Sequence, residues 1–242
     1  MKAIYLLLAV CIYFNSSALL FSQEYVFGLK AGLNTNTIGD INSRGGSIAV
    51  GKADEVFSPK KDIGYQIGGY FIAEFKGFFI RPELNYVSLE NHYDFPNRAS
   101  KWTATKLEIP LLFGLEIAKP VSIYAGPSFN FFNDIQLEGV QVTSYSDGGP
   151  DIEKNTTSIN FGILARYNRF SIDLRYEIGT KATQEELLDI NHSAFGVNLA
   201  DLRSYTPKTL SLSFSVDIFR TDGTSIADLF KGNDNCGCPY KQ

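Results

Sequence analysis

The sequence predicts an all-β protein, an eight-stranded antiparallel up-and-down transmembrane β-barrel with long extracellular loops and short periplasmic turns. Three observations predict it. Eight runs of residues alternate between apolar and polar side chains, which is the two-residue period of β-strands. Long and short connectors alternate between these runs, as they do in outer-membrane barrels. The N-terminus has the charged start and apolar run of a secretory signal peptide.

Each of the eight runs has one face rich in leucine, isoleucine and phenylalanine and another rich in small and charged residues. In the seventh run, for example, Phe170, Ile172 and Leu174 alternate with Ser171 and Asp173. A barrel in a membrane turns the apolar face to lipid and the polar face to its lumen. The predicted strands cover about 24–34, 64–75, 78–89, 104–117, 120–132, 157–167, 170–178 and 208–219.

The connectors between these strands fall into two classes. Tight turns are predicted at Lys76-Gly77, Ala118-Lys119 and Asn168-Arg169. Long polar segments separate the hairpins and are expected outside the cell. In the last of them, Thr183 to Leu188 follows a capping-box pattern and predicts a short helix. The long segments cover about 35–63, 90–103, 133–156 and 179–207.

The chain is expected to have three parts: a signal peptide at 1–22, the barrel at 23–219 and a periplasmic tail at 220–242. Cleavage near Ser22 would leave Cys236 and Cys238 as the only cysteines. One such pair in a tail cannot supply the disulfide framework of a small secreted domain. We therefore expect the fold to be held by something other than disulfides.

Composition narrows the classes of partner. The 242 residues carry a formal net charge of −4, which argues against a nucleic-acid partner bound through its phosphates. Hydrophobic residues make up 44% and charged ones 20%, which excludes a disordered chain. The expected partner is outer-membrane lipid, with no cofactor and no metal ion.

A soluble lipocalin-like barrel has the same strand pattern, with the apolar face inside. The signal peptide and the connector asymmetry favour the membrane barrel instead. With eight strands the lumen is narrow enough to be filled by side chains. Charges on the polar faces are therefore expected to form a paired network there, the alternative being a selectivity filter. The predicted lumenal charge network is Lys30, Glu74, Arg81, Glu83, Lys106, Glu108, Glu116, Arg166, Asp173, Arg175, Glu177 and Asp217.

Catalytic and metal-binding patterns are weak. The two histidines, His92 and His192, lie in predicted loops, and His92 has Asp94 nearby. No Gly-x-Ser-x-Gly, Ser-x-x-Lys or His-Glu-x-x-His motif occurs. The segment from Asp147 to Asp151 could contact a divalent ion, although a turn is the simpler interpretation. We expect the protein not to be an enzyme and to have no catalytic residues.

Five short motifs, in order along the chain, resemble the PorT-like outer-membrane β-barrel family: 28–34, 82–84, 107–112, 125–127 and 174–176. The resemblance implies the outer membrane of a Gram-negative bacterium and a component of cell-envelope machinery such as type IX secretion or gliding. Other envelope or secretion proteins would then be partners. The chain departs from simpler members in its tail. Two further hypotheses remain open, a small-solute or lipid-binding barrel and a barrel enzyme.

Overall fold

The computed structural model describes residues 24–45, 55–151 and 153–222. The predicted signal peptide and the tail beyond Asp222, with both tail cysteines, lie outside the described residues. Within them the strands are β1 (Glu24–Thr37), β2 (Ile41–Ser43), β3 (Glu55–Phe57), β4 (Lys60–Lys61), β5 (Gly64–Phe75), β6 (Phe78–Asp94), β7 (Ala99–Ala118), β8 (Val121–Leu137), β9 (Asn155–Tyr167), β10 (Phe170–Gly179), β11 (Glu186–Asp189), β12 (Leu199–Leu202) and β13 (Lys208–Arg220). A short helix, α1 (His192–Phe195), precedes β12. None of the helices in these ranges is long and apolar enough to cross a bilayer.

Eight of these strands close into a ring. They are β1, β5, β6, β7, β8, β9, β10 and β13, each hydrogen-bonded to the next along the chain in antiparallel register. The last strand closes on the first, with register partners from Val26↔Arg220 to Thr37↔Lys208. This ring confirms the predicted eight-stranded up-and-down barrel.

The two faces of the wall differ as the alternation predicts. Outward side chains such as Ile172, Leu174 and Leu212 are about half exposed, while the inward Asp173 and Ser213 are buried. A soluble barrel would show the reverse arrangement, so the apolar band faces lipid. Aromatic residues sit at both edges of the band, as in other membrane barrels. Tyr65 and Tyr86 lie together at the long-loop end, and Phe78, Tyr167 and Phe170 are exposed at the short-turn end.

The short turns lie at the end where both described chain ends emerge. Lys76 has φ 41° and Gly77 has φ 85°, and Asn168 has φ 53°. Glycine and asparagine tolerate this left-handed region best, which explains two of the three turn residues. Following the loop asymmetry of outer-membrane barrels, we assign this end to the periplasm and the opposite end to the extracellular side.

The extracellular edge of the barrel is uneven. From Leu89 to Asp94, β6 continues beyond its pairing with β5, which ends at Tyr65↔Ser88. In the same way, β8 continues beyond Phe131, the partner of the first residue of β9. At about 3.3 Å per residue each extension adds about 20 Å. We call the extended parts of β6, β7 and β8 the tall wall, and the edge formed by β9, β10 and β13 the low rim.

The tall wall corrects the prediction of a loop at 90–103. Most of that segment is strand, paired from His92↔Lys101 to Asp94↔Ala99. The physical reason is that the inward side chains there, Tyr93 and Trp102, are apolar and fully buried instead of polar. They require a partner surface, and the long loops provide it.

A second sheet, which we call the cap sheet, covers the extracellular end. Its order is β11-β12-β2-β3, with strands drawn from the connectors after β1 and β10. The predicted helix at 183–188 is therefore wrong, because Glu186 to Asp189 pair with β12 and bury Leu188. The helix of this connector is α1, capped by the Asn191 side chain, which accepts from the Ala194 amide.

The cap sheet and the tall wall share one apolar core outside the membrane. Ile41, Leu188 and Ala200 of the cap sheet are in one buried cluster with Tyr93 and Trp102 of the tall wall. Burial of this size is the main favourable term for folding a loop region. The extracellular loops therefore form a small folded unit and not a set of separate polar loops.

Candidate functional site

Eight charged side chains meet in the middle of the lumen, and all are buried. They are Lys30, Arg81, Glu83, Lys106, Glu108, Asp173, Arg175 and Glu177, and we call them the central charge network. Four are cations and four are anions, so their formal charges cancel. Burying an ion costs several kcal/mol unless it is paired and hydrogen-bonded. The balance of the network therefore explains how so many charges can occupy the lumen.

Arg175 is the centre of the network. Its Nη1 and Nη2 donate to the two carboxylate oxygens of Glu83 at 2.9 and 2.8 Å, and Nη2 also donates to Asp173 at 2.9 Å. Glu108 lies 3.9 Å from Nη1. Lys30 donates to the same Glu83 carboxylate at 3.0 Å. Bidentate guanidinium–carboxylate pairs fix geometry as well as charge, so Arg175 joins β10 to β6 across the lumen.

Lys106 and Glu177 form the extracellular end of the network. The ammonium group lies 2.7 Å from both oxygens of the carboxylate. Asn130 and Ser158 also donate to Glu177, at 2.9 and 2.7 Å. The Lys106 ammonium reaches Glu108 at 3.8 Å, which links this pair to Arg175. These groups form a hydrogen-bonded floor beneath the space that the cap covers.

Two tyrosines that the sequence analysis did not assign to the lumen point into it. Tyr70 donates to Asp217 at 2.5 Å, and Tyr124 donates to Asp173. Each ring occupies space opened by a glycine on the next strand. A Cβ at Gly162 would lie 2.2 Å from the Tyr124 ring, and the same contact at Gly28 would be 2.3 Å from Tyr70. A glycine at a lumenal position leaves space for a large side chain on the neighbouring strand. Gly28 and Gly162 were therefore the sequence signal from which Tyr70 and Tyr124 could have been predicted to face the lumen.

Arg81 is the least satisfied member of the network. Its Nε lies 2.8 Å from a Glu83 oxygen, though the angle is too poor for a hydrogen bond. Its guanidinium carbon stands 4.2 Å from the centroid of the Tyr70 ring. Stacking on an aromatic face and proximity to Glu83 compensate its charge in place of a full set of hydrogen bonds.

The other four predicted network residues lie toward the periplasmic end. The prediction that Glu116 belongs to the lumenal charge network is wrong. Glu116 is exposed at the end of β7 and makes no ion pair with any described residue. Its strand has left the lumen there, and water solvates the carboxylate. Arg166 pairs with Glu74 at 2.8 Å, away from the central charge network. The fourth, Asp217, pairs with Arg220 at 3.0 Å.

An apolar cluster closes the periplasmic half of the lumen. Its members are Val26, Tyr70, Ile72, Phe79, Leu112, Tyr124 and Leu164, all nearly inaccessible to solvent. The cluster lies below the central charge network, whose members are themselves buried. Two successive layers therefore fill the barrel, in agreement with the side-chain-filled lumen of small barrels.

Above these layers lies a cavity of about 570 Å³, which we call the upper pocket. Lys106, Asn130 and Glu177 form its floor. Leu89 and Trp102 of the tall wall supply an apolar side. The rest of the lining comes from the end of β1, from Phe132, from the low rim and from the connectors after β8, β10 and β12: Asn36, Thr37, Ile38, Phe132, Asp151, Glu153, Lys154, Asn155, Thr156, Thr157, Gly179, Lys181, Ala182, Thr183, Gln184, Tyr205, Pro207, Lys208 and Thr209. Its volume is in the range of small-molecule sites.

Two other clusters of side chains lie outside the barrel lumen. His92 has Asp62 2.9 Å from Nδ1 and Asp94 3.7 Å from Nε2, on opposite sides of the ring. The contact with Asp62 ties the segment before β5 to β6.

Asp147, Asp151 and Glu186 place one carboxylate oxygen each within 4.8 Å of one another. Burial raises the pKa of the Glu186 carboxyl, and the amide of Asp151 donates to it at 2.7 Å. Carboxylate oxygens could hold a hard cation. Two of the three residues are exposed, however, and exposed acidic groups commonly occur without an ion.

Three solved structures are among those to which this chain is similar. The structure of OprG from Pseudomonas aeruginosa is similar over 81% of this chain and 96% of that one, at 12% identity and a TM-score of 0.48. Ail of Yersinia pestis, solved with the heparin analogue sucrose octasulfate, covers 82% and 98% at 13% identity and a TM-score of 0.37. The Pseudomonas putida toluene transporter TodX covers 79% and 89% at 8% identity and a TM-score of 0.29. No curated protein sequence matches the chain.

The family comparison is more direct. The model of the outer membrane protein β-barrel domain family matches residues 21–200, which is most of the barrel. The closed ring of eight strands and its lipid-facing apolar band are the structural counterpart of that match. The chain therefore belongs to the outer membrane protein β-barrel domain family and resides in the outer membrane of a Gram-negative bacterium.

Proposed function

We propose that this barrel binds a small amphipathic molecule in the upper pocket and does not conduct solutes through its lumen. The observation that carries the proposal is the position of a 570 Å³ cavity directly above a sealed lumen. Ligand sites are typically concave and mostly apolar, with a few placed polar groups. The upper pocket is concave and combines an apolar side, which includes Leu89 and Trp102, with many polar and charged residues. The two filled layers below it offer no path onward.

The amphipathic character follows from the two sides of the pocket. Leu89, Trp102 and Tyr205 present apolar surface. Lys106 and Glu177 at the floor already satisfy each other, so a ligand need not bring a charge to the bottom of the pocket. Asn130 and Thr209 add hydrogen-bonding groups beside the apolar wall. An apolar body with a polar end fits this arrangement.

The absence of conduction is the first testable consequence. We expect the full-length protein in planar lipid bilayers to give no steady channel events, because buried ion pairs and the apolar cluster of Leu112 and Leu164 both fill the lumen. Recordings should use salt well above 0.1 M, so that any small current is measurable. Discrete openings of reproducible size in the wild-type protein would contradict the sealed lumen.

Binding can be measured through Trp102, the single tryptophan of the chain and a lining residue of the pocket. Bromine atoms quench tryptophan fluorescence on contact, so a brominated long-chain alcohol should quench Trp102 saturably in the folded protein. Thr156→Phe places a ring in the pocket from the low rim and should reduce the affinity by at least tenfold. Filling a binding cavity removes the ligand's contact surface directly.

The matched control is Thr103→Phe, next to Trp102 in sequence but on the outward face of β7. Its affinity should equal that of the wild type, since its side chain does not line the pocket. Equal quenching in wild type and Thr156→Phe would show that the probe reaches Trp102 by another route, and solute binding in the upper pocket would be wrong.

A second proposed role is in cell-envelope machinery, such as type IX secretion or gliding. Its support is the connector after β8, which is bonded to the cap sheet through Thr143 and Asp189 and exposes Val142 and Tyr145. A deletion strain should then lose secretion or motility. Complementation by Thr156→Phe would assign that role to the surface, whereas failure to complement would assign it to the pocket.

A further inference from the structure

The mouth of the upper pocket lies on the low rim, beside the lipid-facing band. Thr156 and Thr209 face inwards and line the pocket. Thr157 and Lys208 occupy outward register positions on the same strands and also line it. The next outward residue of β13 is Leu210, which is half exposed in the apolar band. Two residues along a strand span about 7 Å, so Lys208 sits at the height of lipid headgroups.

Three lysines surround this mouth: Lys154, Lys181 and Lys208. The ammonium group of Lys181 lies 4.0 Å from the Glu153 carboxylate. The ammonium groups of Lys154 and Lys208 have no hydrogen-bond or ion-pair partner among the described residues. Lysines elsewhere on the extracellular surface are mostly paired, such as Lys60 with Asp94. Among the described residues, three lysines on the extracellular side have no ion pair, and two of them, Lys154 and Lys208, lie at the pocket mouth, the third being Lys61 of β4.

The acidic residues of the lining do not cancel them. Glu177 is held by Lys106 at 2.7 Å, and Glu153 faces Lys181. Asp151 is grouped with the other two acids of its cluster instead of with Lys154 or Lys208. An anionic group at the mouth would meet two lysines that lack carboxylate partners.

We infer that the ligand is an anionic amphiphile of the outer leaflet, an acyl chain with a carboxylate or phosphate headgroup that enters over the low rim. This inference rests on the proposed function and names its ligand class. In this arrangement the acyl chain of the ligand lies against Trp102 and Leu89, and its headgroup lies between Lys154 and Lys208. A basic residue near a membrane surface favours the binding of anionic lipid.

The test uses the full-length protein in phosphatidylcholine vesicles and quenching of Trp102 by three brominated probes. Dibromostearic acid carries the anion and can also arrive from water, its methyl ester lacks the charge, and phosphatidic acid with dibrominated chains stays in the bilayer. We expect the acid and the phosphatidic acid to quench saturably and the ester to bind about tenfold more weakly. Lys154→Gln with Lys208→Gln should weaken the two anions about tenfold and leave the ester unchanged.

Two controls separate the outcomes. Lys61→Gln removes an exposed lysine of β4 away from the mouth and should change nothing. Thr156→Phe fills the pocket and should abolish the saturable quenching. Any quenching that remains in this variant comes from lipid outside the barrel wall. Binding of the ester as tight as the acid, or an unchanged double variant, would overturn the anionic ligand. Quenching by the free acid alone would overturn entry from the leaflet. Failure of every probe, ester included, would instead contradict the proposed function itself.

Discussion

Replacing Arg175 with leucine is expected to lower the free energy of unfolding by about 3–5 kcal/mol. The variant leaves Glu83 and Asp173 buried in the lumen without their shared guanidinium, which now donates three hydrogen bonds of 2.8–2.9 Å to them. Removing one partner of a buried pair costs more than the pair itself contributes, because the remaining charge is uncompensated. Urea titration of the barrel in vesicles, followed by heat-dependent gel migration, measures the change.

The matched control is Arg166→Leu. Its partner Glu74 lies at a comparable distance of 2.8 Å, but the two side chains are 16% and 24% exposed. Water can solvate the remaining carboxylate there, so the loss should stay below about 1 kcal/mol. Arg175→Leu combined with Glu83→Gln should recover part of the stability, since one stranded charge is removed. If Arg175→Leu costs no more than Arg166→Leu, water reaches the centre of the lumen and the network is not a seal.

The barrel could be predicted from the sequence because its signal is local. A period of two over ten residues identifies a strand, and one apolar face identifies its lipid side. The closure of β13 on β1 then follows because a sheet with free edges cannot span lipid, and the even number of strands makes the closing pair antiparallel. The two-residue period alone was enough to predict that Lys30, Glu83 and Arg175 face the lumen.

Which lumenal charges meet could not be predicted, because that depends on the stagger of strands around the barrel. Parity places Arg166 and Glu177 on the same face, yet Arg166 pairs with Glu74 on the far side of the ring. The alternation also does not tell how far along the barrel axis a residue lies. Glu116 was therefore predicted as part of the network, although β7 has reached the exposed edge of the barrel there. Shear and tilt fix these distances, and neither can be read from a single strand.

The cap was missed for a different reason. Its strands are only three or four residues long, too short for any period to be recognised. The capping-box pattern at Thr183 favoured a helix locally, but pairing with β12 buries Leu188 and Ile190 in the shared core. Tertiary burial outweighs the few tenths of a kcal/mol per residue that separate local propensities.

Leu188→Ala is expected to destabilise the cap by about 2–5 kcal/mol and leave the barrel intact. Leu188 is fully buried in the core between the cap sheet and the tall wall, and truncation there removes contacts and leaves a cavity. The lipid-facing band and the central charge network do not include this side chain. The cap should therefore open more often as a local unit, while heat-dependent migration of the barrel stays unchanged.

Two measurements report the opening of the cap. Protease cleavage within the connectors after β1 and β10 should accelerate, and the emission of Trp102, now 2% exposed, should shift to the red as water enters. Leu187→Ala is the control, since the neighbouring leucine on the same strand is only partly buried and should have a small effect. Ligand binding in the upper pocket should weaken with the cap, because Trp102 belongs to both the core and the lining. If Leu188→Ala accelerates cleavage no more than Leu187→Ala, the loops do not fold as one unit, and the pocket beneath them must be held by the barrel wall alone.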